Sequence, residues 1–206
     1  MLRKEHWEDI YANKQMNEVS WFQQEPTTSS ELIQENTQSK DDAIIDIGGG
    51  DGFLVDNLLE LGYTNITVLD ISDNAINKAK ERLGINADKV KWIVSDITEF
   101  IPVEQYDIWH DRAVFHFLTQ EQDIAYYKLL VNENISDNGH FILATFADDG
   151  PEKCSGLEVC KYSEKDMANS FSIAFKVKES FKYKHLTPFG TIQNFIFSVF
   201  RKQRVK

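Results

Sequence analysis

The chain predicts an α/β fold: a mostly parallel sheet with helices on both faces, closed at its C-terminal end by an antiparallel hairpin. Three observations carry this. Between residues 43 and 146, short apolar runs alternate with segments of helical period, the order that builds parallel strands joined by right-handed crossovers. The first run, Ile44-Ile45-Asp46-Ile47, opens directly into Gly48-Gly49-Gly50-Asp51-Gly52, and a helical pattern follows at once. Beyond Phe146 the alternation stops, and runs at 181–186 and 194–201 flank Thr187-Pro188-Phe189-Gly190. That pair reads as the hairpin.

Each element has its own signal. Ahead of the first strand, residues 4–13 and 28–37 read as short helices, so 1–40 form an N-terminal helical segment and 41–206 the core of one domain. After the glycine turn, Leu54, Val55, Leu58, Leu59 and Leu61 recur at helical spacing and Gly62 ends the helix. Ile66-Thr67-Val68-Leu69 is the second strand, ending at Asp70. Ser72 caps a helix with Ala75, Ile76, Ala79 and Leu83 on one side, stopped at Gly84. Residues 90–94 form strand three, ending in Ser95-Asp96. Residues 106–109 form strand four, ending in His110-Asp111. Thr119 with Gln122 predicts a capping box for a helix that turns Ile124, Tyr127, Val131 and Ile135 inward. Ser136-Asp137-Asn138-Gly139 predicts a turn, 140–146 a fifth strand, and 163–171 a short helix after an irregular loop.

Bulk properties narrow the function. The 206 residues are 42% hydrophobic and 27% charged, ordinary for a soluble globular chain. No apolar run approaches the roughly 20 residues of a membrane span, and the opening residues lack a signal core. Cys154 and Cys160 suit reduced thiols in a cytoplasmic protein. They sit six apart with no compact His or Cys partners, so no metal site is expected. The net charge of −11 disfavours a nucleic-acid partner. Residues 171–206 hold eight Lys or Arg against one Glu, a local +7 that leaves −18 for the rest. That tail reads either as a surface that attracts an anionic or acidic substrate or, the favoured reading, as a solvated edge with lysines at outward strand positions that discourage edge pairing.

The glycine turn points to a nucleoside. Glycines at 48, 50 and 52 let the backbone turn sharply and let a ligand approach without a Cβ in the way, while the following helix N-terminus favours electron-rich groups. Asp70 lies at the tip of the next strand, where a carboxylate can hold ribose hydroxyls. A dinucleotide fingerprint needs glycine at the sixth position of the turn; counted from Gly48 that position is Phe53. A nicotinamide-dependent reductase is therefore the less favoured reading, and a non-catalytic nucleoside-binding module is a third.

Asp46-Ile47-Gly48-Gly49-Gly50-Asp51-Gly52 resembles motif I of class I S-adenosylmethionine-dependent methyltransferases. Asp70 matches that superfamily's ribose-binding acid and Asp96 the acid beside adenine. The resemblance implies a Rossmann-like seven-stranded sheet, S-adenosylmethionine as cofactor, and a cofactor site of Asp46, Gly48, Gly49, Gly50, Asp70, Ile71, Asp96, Ile97 and His110. Ile108-Trp109-His110-Asp111-Arg112-Ala113 is similar to a segment of thiopurine S-methyltransferase-like enzymes, with His110 inserted. His6-Trp7-Glu8-Asp9-Ile10-Tyr11 and Val19-Ser20-Trp21-Phe22 resemble the start of some protein-lysine methyltransferases. The implied acceptor is a small-molecule nucleophile or a protein side chain; oligomeric state is not legible.

Asp111 and Arg112 are the candidate catalytic pair, since they leave strand four at the edge where ligands of open α/β sheets bind. Arg112 suits an acceptor carboxylate or a developing anion, and Asp111 an acceptor's proton. His116, inside an apolar run, and His185 read as packed residues. Trp21 and Phe22 read equally as a lid or as packing for the N-terminal helices.

Overall fold

The computed structural model describes residues 3–203. Short runs, most of them buried on both faces as in a parallel sheet covered by helices, make the strands β1 (Ile44–Ile47), β2 (Ile66–Asp70), β3 (Val90–Val94), β4 (Tyr106–Arg112) and β5 (Ile135–Phe146). A small hairpin, β6 (Lys153–Cys154) and β7 (Leu157–Glu158), precedes the long pair β8 (Phe175–Leu186) and β9 (Ile192–Lys202). The main sheet has seven strands in the order β3-β2-β1-β4-β5-β9-β8. The first five pair in parallel; β9 runs antiparallel to both β5 and β8.

Helices cover both faces. They are α1 (Arg3–Asn13), α2 (Thr27–Asn36), α3 (Leu54–Glu60), α4 (Asp73–Leu83), α5 (Glu121–Asn134) and α6 (Glu164–Phe171). Strand alternation divides the core in two. Ile44, Val68, Ile108 and Ile142 pack with Ile33 of α2 and with Val55 and Leu58 of α3. Ile45, Trp109, Phe141 and Leu143 pack with Tyr127 and Val131 of α5 and Met167 of α6. Each such side chain taken fully out of water contributes about 1.5–3 kcal/mol, so the strand register is strongly specified. No helix among the described residues is long and apolar enough to cross a membrane.

Several boundaries differ from the sequence expectation. Helix α5 starts at Glu121 with Gln120 as its N-cap and no side-chain cap bond, so the Thr119–Gln122 box does not form. Glu121 and Asp123 in the first turn complement the helix dipole instead. Ser136-Asp137-Asn138-Gly139 is not a turn but a bulge inside β5: Tyr106 pairs with Ile135, and Ile108 with His140. Asn138 takes φ 84 there, a conformation asparagine tolerates. Ile135 is buried, on a strand rather than the helix. Strand β4 runs on to Arg112 because β5 continues beside it, with Asp111 opposite Leu143. The loop after Phe146 contains the β6–β7 hairpin, turned by Ser155 and Gly156 at positive φ.

Candidate active site

The glycine turn sits at the C-terminal end of β1. Gly48 and Gly50 adopt φ of 67 and 49, in the left-handed region. A Cβ on Gly50 would stand 2.9 Å from Asp70 Oδ2 and 2.9 Å from the Tyr11 hydroxyl, so only glycine lets β2 and α1 close around the turn. Arg82 of α4 clamps it from outside: Nη1 donates to Asp51 O at 2.6 Å and Nη2 to Gly52 O at 2.8 Å. The Arg82 guanidinium also lies 4.4 Å from the centre of the Phe53 ring. Sequence reading missed Arg82, because a basic residue in the last turn of a helix reads first as dipole compensation.

A cavity opens between the strand ends and the N-terminal segment. Of the expected cofactor residues, Asp46, Gly48, Gly49, Asp70, Ile71, Asp96, Ile97 and His110 line it, and Gly50 does not. Asp70 Oδ1 accepts from Ser72 N at 2.8 Å. Burial pushes the Asp70 carboxyl up to about 7; the Ser72 amide opposes this, while Asp51, Asp46 and Glu8 add to it. Asp96 Oδ1 accepts from Thr98 N at 2.9 Å and from Thr98 Oγ1 at 2.8 Å. Ser72 bonds Ala75 N as the helix cap of α4, leaving Asp70 outside that role.

The N-terminal segment is fastened over this cavity. Arg3 bridges Asp96 at 3.0 Å and Asp123 at 2.9 Å. The Glu8 carboxylate accepts from Ser72 Oγ and Asp73 N, each at 2.8 Å, and from Asn74 N at 3.1 Å. Glu8 thus meets the unpaired amides at the start of α4, a contact between residues 64–66 apart in sequence. Trp7 packs edge-on against Trp21 and Phe117, with centroids 5.7 and 5.2 Å away. Trp21 and Phe22 both line the cavity and pack against neighbouring rings, Trp21 on Trp7 and Tyr11 and Phe22 on Phe53.

The candidate catalytic pair separates. Successive strand residues point to opposite faces, so Asp111 and Arg112 cannot share a site while both belong to β4. Asp111 is fully buried on the α5 side and does not line the cavity, which corrects the expectation that it faces an acceptor. Its carboxylate accepts from Val114 N at 2.8 Å, Phe115 N at 3.1 Å and Tyr127 Oη at 2.5 Å. Burial raises its pKa to about 6 against the pull of those bonds. It fixes the chain's exit from β4.

Arg112 does line the cavity. Nη1 donates to Trp21 O at 3.0 Å, and the guanidinium lies 5.2 Å from the Phe195 ring centre. Nε and Nη2 are buried with no hydrogen-bond partner among the described residues. Desolvation lowers its pKa to about 10, which leaves it charged at neutral pH. Nearby, His116 is driven down to about 3 by burial and by Arg112, and its Nδ1 accepts from Phe146 N at 3.2 Å. His185 donates from Nε2 to Ser20 O at 2.7 Å, its pKa lowered by burial and Arg112. Both histidines are packed, neutral groups. Cys154 lines the cavity as a buried thiol pushed up to about 11 by burial.

Two further side chains share the Arg112 face. Asp46 lies opposite His110 in the β1–β4 register, and Asp46 Oδ1 is 2.7 Å from His110 Nδ1. His110 Nε2 is 2.9 Å from Ser29 Oγ on α2. Ser29 was not singled out from sequence; it lies 81 residues from His110 in a segment with no motif.

Residues 38–203 match the sequence model of a methyltransferase domain. The chain is 37% identical over 108 residues to a malonyl-[acyl-carrier protein] O-methyltransferase of Anoxybacillus flavithermus, covering 51% of this chain and 39% of that protein. It is 24% identical over 196 residues to human EEF1A lysine methyltransferase 2, covering 85% of this chain and 75% of the relative. The chain thus spans about two fifths of the first relative's length and three quarters of the second's. In fold it is similar to the N-methyltransferase NodS of Bradyrhizobium japonicum WM9, crystallised with S-adenosyl-L-homocysteine. The TM-score is 0.71, with 16% identity and 98% of each chain covered. A methyltransferase of Anabaena variabilis ATCC 29413 superposes with TM-score 0.73 at 14% identity, over 98% of this chain and 96% of that one. With its glycine turn, strand-end carboxylates and terminal hairpin, the chain belongs to the methyltransferase-domain family of class I, S-adenosylmethionine-dependent enzymes.

Proposed function

We propose that this protein transfers a methyl group from S-adenosylmethionine to a small acceptor bearing a carboxylate, with both held in the cavity beneath the N-terminal segment. The observation that carries the acceptor class is Arg112. A buried guanidinium with two unpartnered nitrogens is costly, and a bidentate carboxylate matches its fork. A lysine acceptor would instead set a second cation beside it.

The residues present fit the methyl donor. Gly48 and Gly49 line the cavity at the turn and suit its amino-acid end, Asp70 suits the ribose, and Asp96 with Ile71 and Ile97 suits the adenine. When bound, the donor supplies a methyl group on a sulfonium with its leaving group built in. Asp46 places negative charge under the turn, with its Oδ2 2.6 Å from where a Gly49 Cβ would stand. The rings of Tyr11 and Trp21 favour a cation in the cavity. The chain's own work is to orient and to exclude water, since holding reactants in line supplies several kcal/mol of the barrier.

The same reading takes residues 1–206 as one domain working in the cytoplasm, where Cys154 and Cys160 remain free thiols, and with no nucleic-acid partner at a net charge of −11. The test is a methyl-transfer screen of small carboxylic acids paired with their amides. Each acid should outperform its amide, and Arg112→Ala should raise the acid's KM about tenfold or more, the loss of about 1.5–3 kcal/mol of charge-assisted bonding. Equal transfer to acid and amide refutes the role of Arg112.

A further inference from the structure

Asp46, His110 and Ser29 form a continuous hydrogen-bonded chain from β1 through β4 to α2, with distances of 2.7 and 2.9 Å. All three are nearly closed to solvent, at 5%, 2% and 2% exposure, yet each lines the cavity. A carboxylate can only accept, so Asp46 holds the imidazole proton on Nδ1. Nε2 then carries a lone pair and accepts from the Ser29 hydroxyl. Ser29 Oγ in turn has lone pairs for a donor held in the cavity. Arg112 lies two residues along β4 from His110 on the same face, so an anchor for an anion and an outlet for a proton stand side by side. The charged groups near His110 are Asp46 from β1, Arg112 from its own strand, and Asp111 acting through the sheet.

We propose that Ser29, His110 and Asp46 are a proton relay serving the acceptor, and that the acceptor is a small thiol or hydroxyl acid. This rests on the reading that Arg112 holds the acceptor's carboxylate. A thiol or hydroxyl must give up its proton as it becomes a nucleophile; an alkylamine must lose one too, but its ammonium form would stand beside the charged Arg112 guanidinium, which disfavours it here. The step balances. The acceptor's sulfur or oxygen forms a bond to the methyl carbon, and the donor's S–C bond breaks with its electron pair kept by sulfur. The acceptor's proton moves to Ser29 Oγ as the Ser29 proton moves to His110 Nε2. The positive charge lost by the sulfonium reappears on the imidazolium beside Asp46. Ser29 is the group touching the acceptor; His110 receives the proton, and Asp46 positions His110.

Two measurements test the relay. The first needs no turnover: in protein with 15N-labelled histidine, the His110 ring should be protonated at Nδ1 and bare at Nε2, with and without S-adenosylhomocysteine. A proton on Nε2 would make His110 a donor to Ser29 and overturns the proposal. The second is transfer of labelled methyl to 3-mercaptopropionate and 3-hydroxypropionate as a function of pH, alongside calorimetry with S-adenosylhomocysteine. Wild-type kcat/KM should rise with pH along a one-proton limb. His110→Gln should abolish that limb and cut kcat by about a hundredfold; Ser29→Ala should lower kcat with KM nearly unchanged, and Asp46→Asn should displace the limb. Melting temperature shows whether each variant is folded, and S-adenosylhomocysteine affinity shows separately whether it still holds the cofactor. Folded His110→Gln protein with the wild-type rate and pH profile overturns the relay, as does failure of wild type to methylate either probe while it binds S-adenosylhomocysteine. Failure to bind S-adenosylhomocysteine at all would fail the proposed function itself, a separate result.

Discussion

Asp111 is where a catalytic and a structural role give opposite results. Its carboxylate receives two backbone amides and the Tyr127 hydroxyl in a fully buried setting. Asp111→Ala leaves three donors without an acceptor, at about 1 kcal/mol or more each, so at pH 4, where no charge penalty is relieved, the loss should be about 3 kcal/mol or greater. Asp111→Asn is different. Its carbonyl oxygen can take the amides and its NH2 can donate to Tyr127 Oη, while the charge penalty disappears. That penalty has a defined sign. With the folded-state pKa raised from 3.8 to about 6, the folded protein holds the extra proton between those values. Stability from this group therefore falls as pH climbs from about 4 to about 6 and is flat above. Two pH units correspond to about 3 kcal/mol, enough to offset a weaker hydrogen-bond set in the Asn variant. Urea unfolding at pH 4 and pH 7 reads both effects. Asn should stay within about 1 kcal/mol of wild type at pH 7, and should lose the share of the fall in stability between the two pH values that Asp111 contributes, while the share from Asp70 remains. Folded Asp111→Asn protein with normal S-adenosylhomocysteine affinity but no methyl transfer would refute this reasoning and return Asp111 to the chemistry.

Asp70→Asn should weaken S-adenosylhomocysteine about tenfold or more by calorimetry, a loss of about 1.5–3 kcal/mol, without lowering the melting temperature of the free protein at pH 8; an unchanged affinity would remove Asp70 from the ribose. Because the free Asp70 carboxyl titrates near 7 and the ligand's hydroxyls prefer the ionised form, wild-type affinity should fall as pH drops from 8 to 6, and that fall should be absent in Asp70→Asn. Gly50→Val combines φ 49 with 2.9 Å contacts to Asp70 and Tyr11, so it should abolish detectable binding; a folded variant with normal affinity would count against the turn geometry.

The features legible in the sequence were those carried by neighbouring residues. Ile44-Ile45-Asp46-Ile47 running into the glycines marks a strand, a turn and a cradle within nine residues, and Asp70 follows from the same rule at the next strand end. What failed depended on distance or on one-residue register. Separating Asp111 from Arg112 required knowing that β4 continues past Trp109, which β5 decides by pairing beside it. Ser136-Asp137-Asn138-Gly139 has turn chemistry, but its partner strand makes it a bulge. Ser29 acquires meaning only when α2 packs over His110, and Glu8 only when α1 meets the open amides of α4. Such contacts leave no local pattern to read.

The glycine turn and its flanking carboxylates are the proposed seat of a sulfur nucleoside. Isothermal calorimetry of the full chain against S-adenosylhomocysteine, NAD and NADP tests it most directly. One S-adenosylhomocysteine site per chain is expected, weakened by Asp70→Asn, with no heat from either dinucleotide. Binding of NAD or NADP with none of S-adenosylhomocysteine would contradict it.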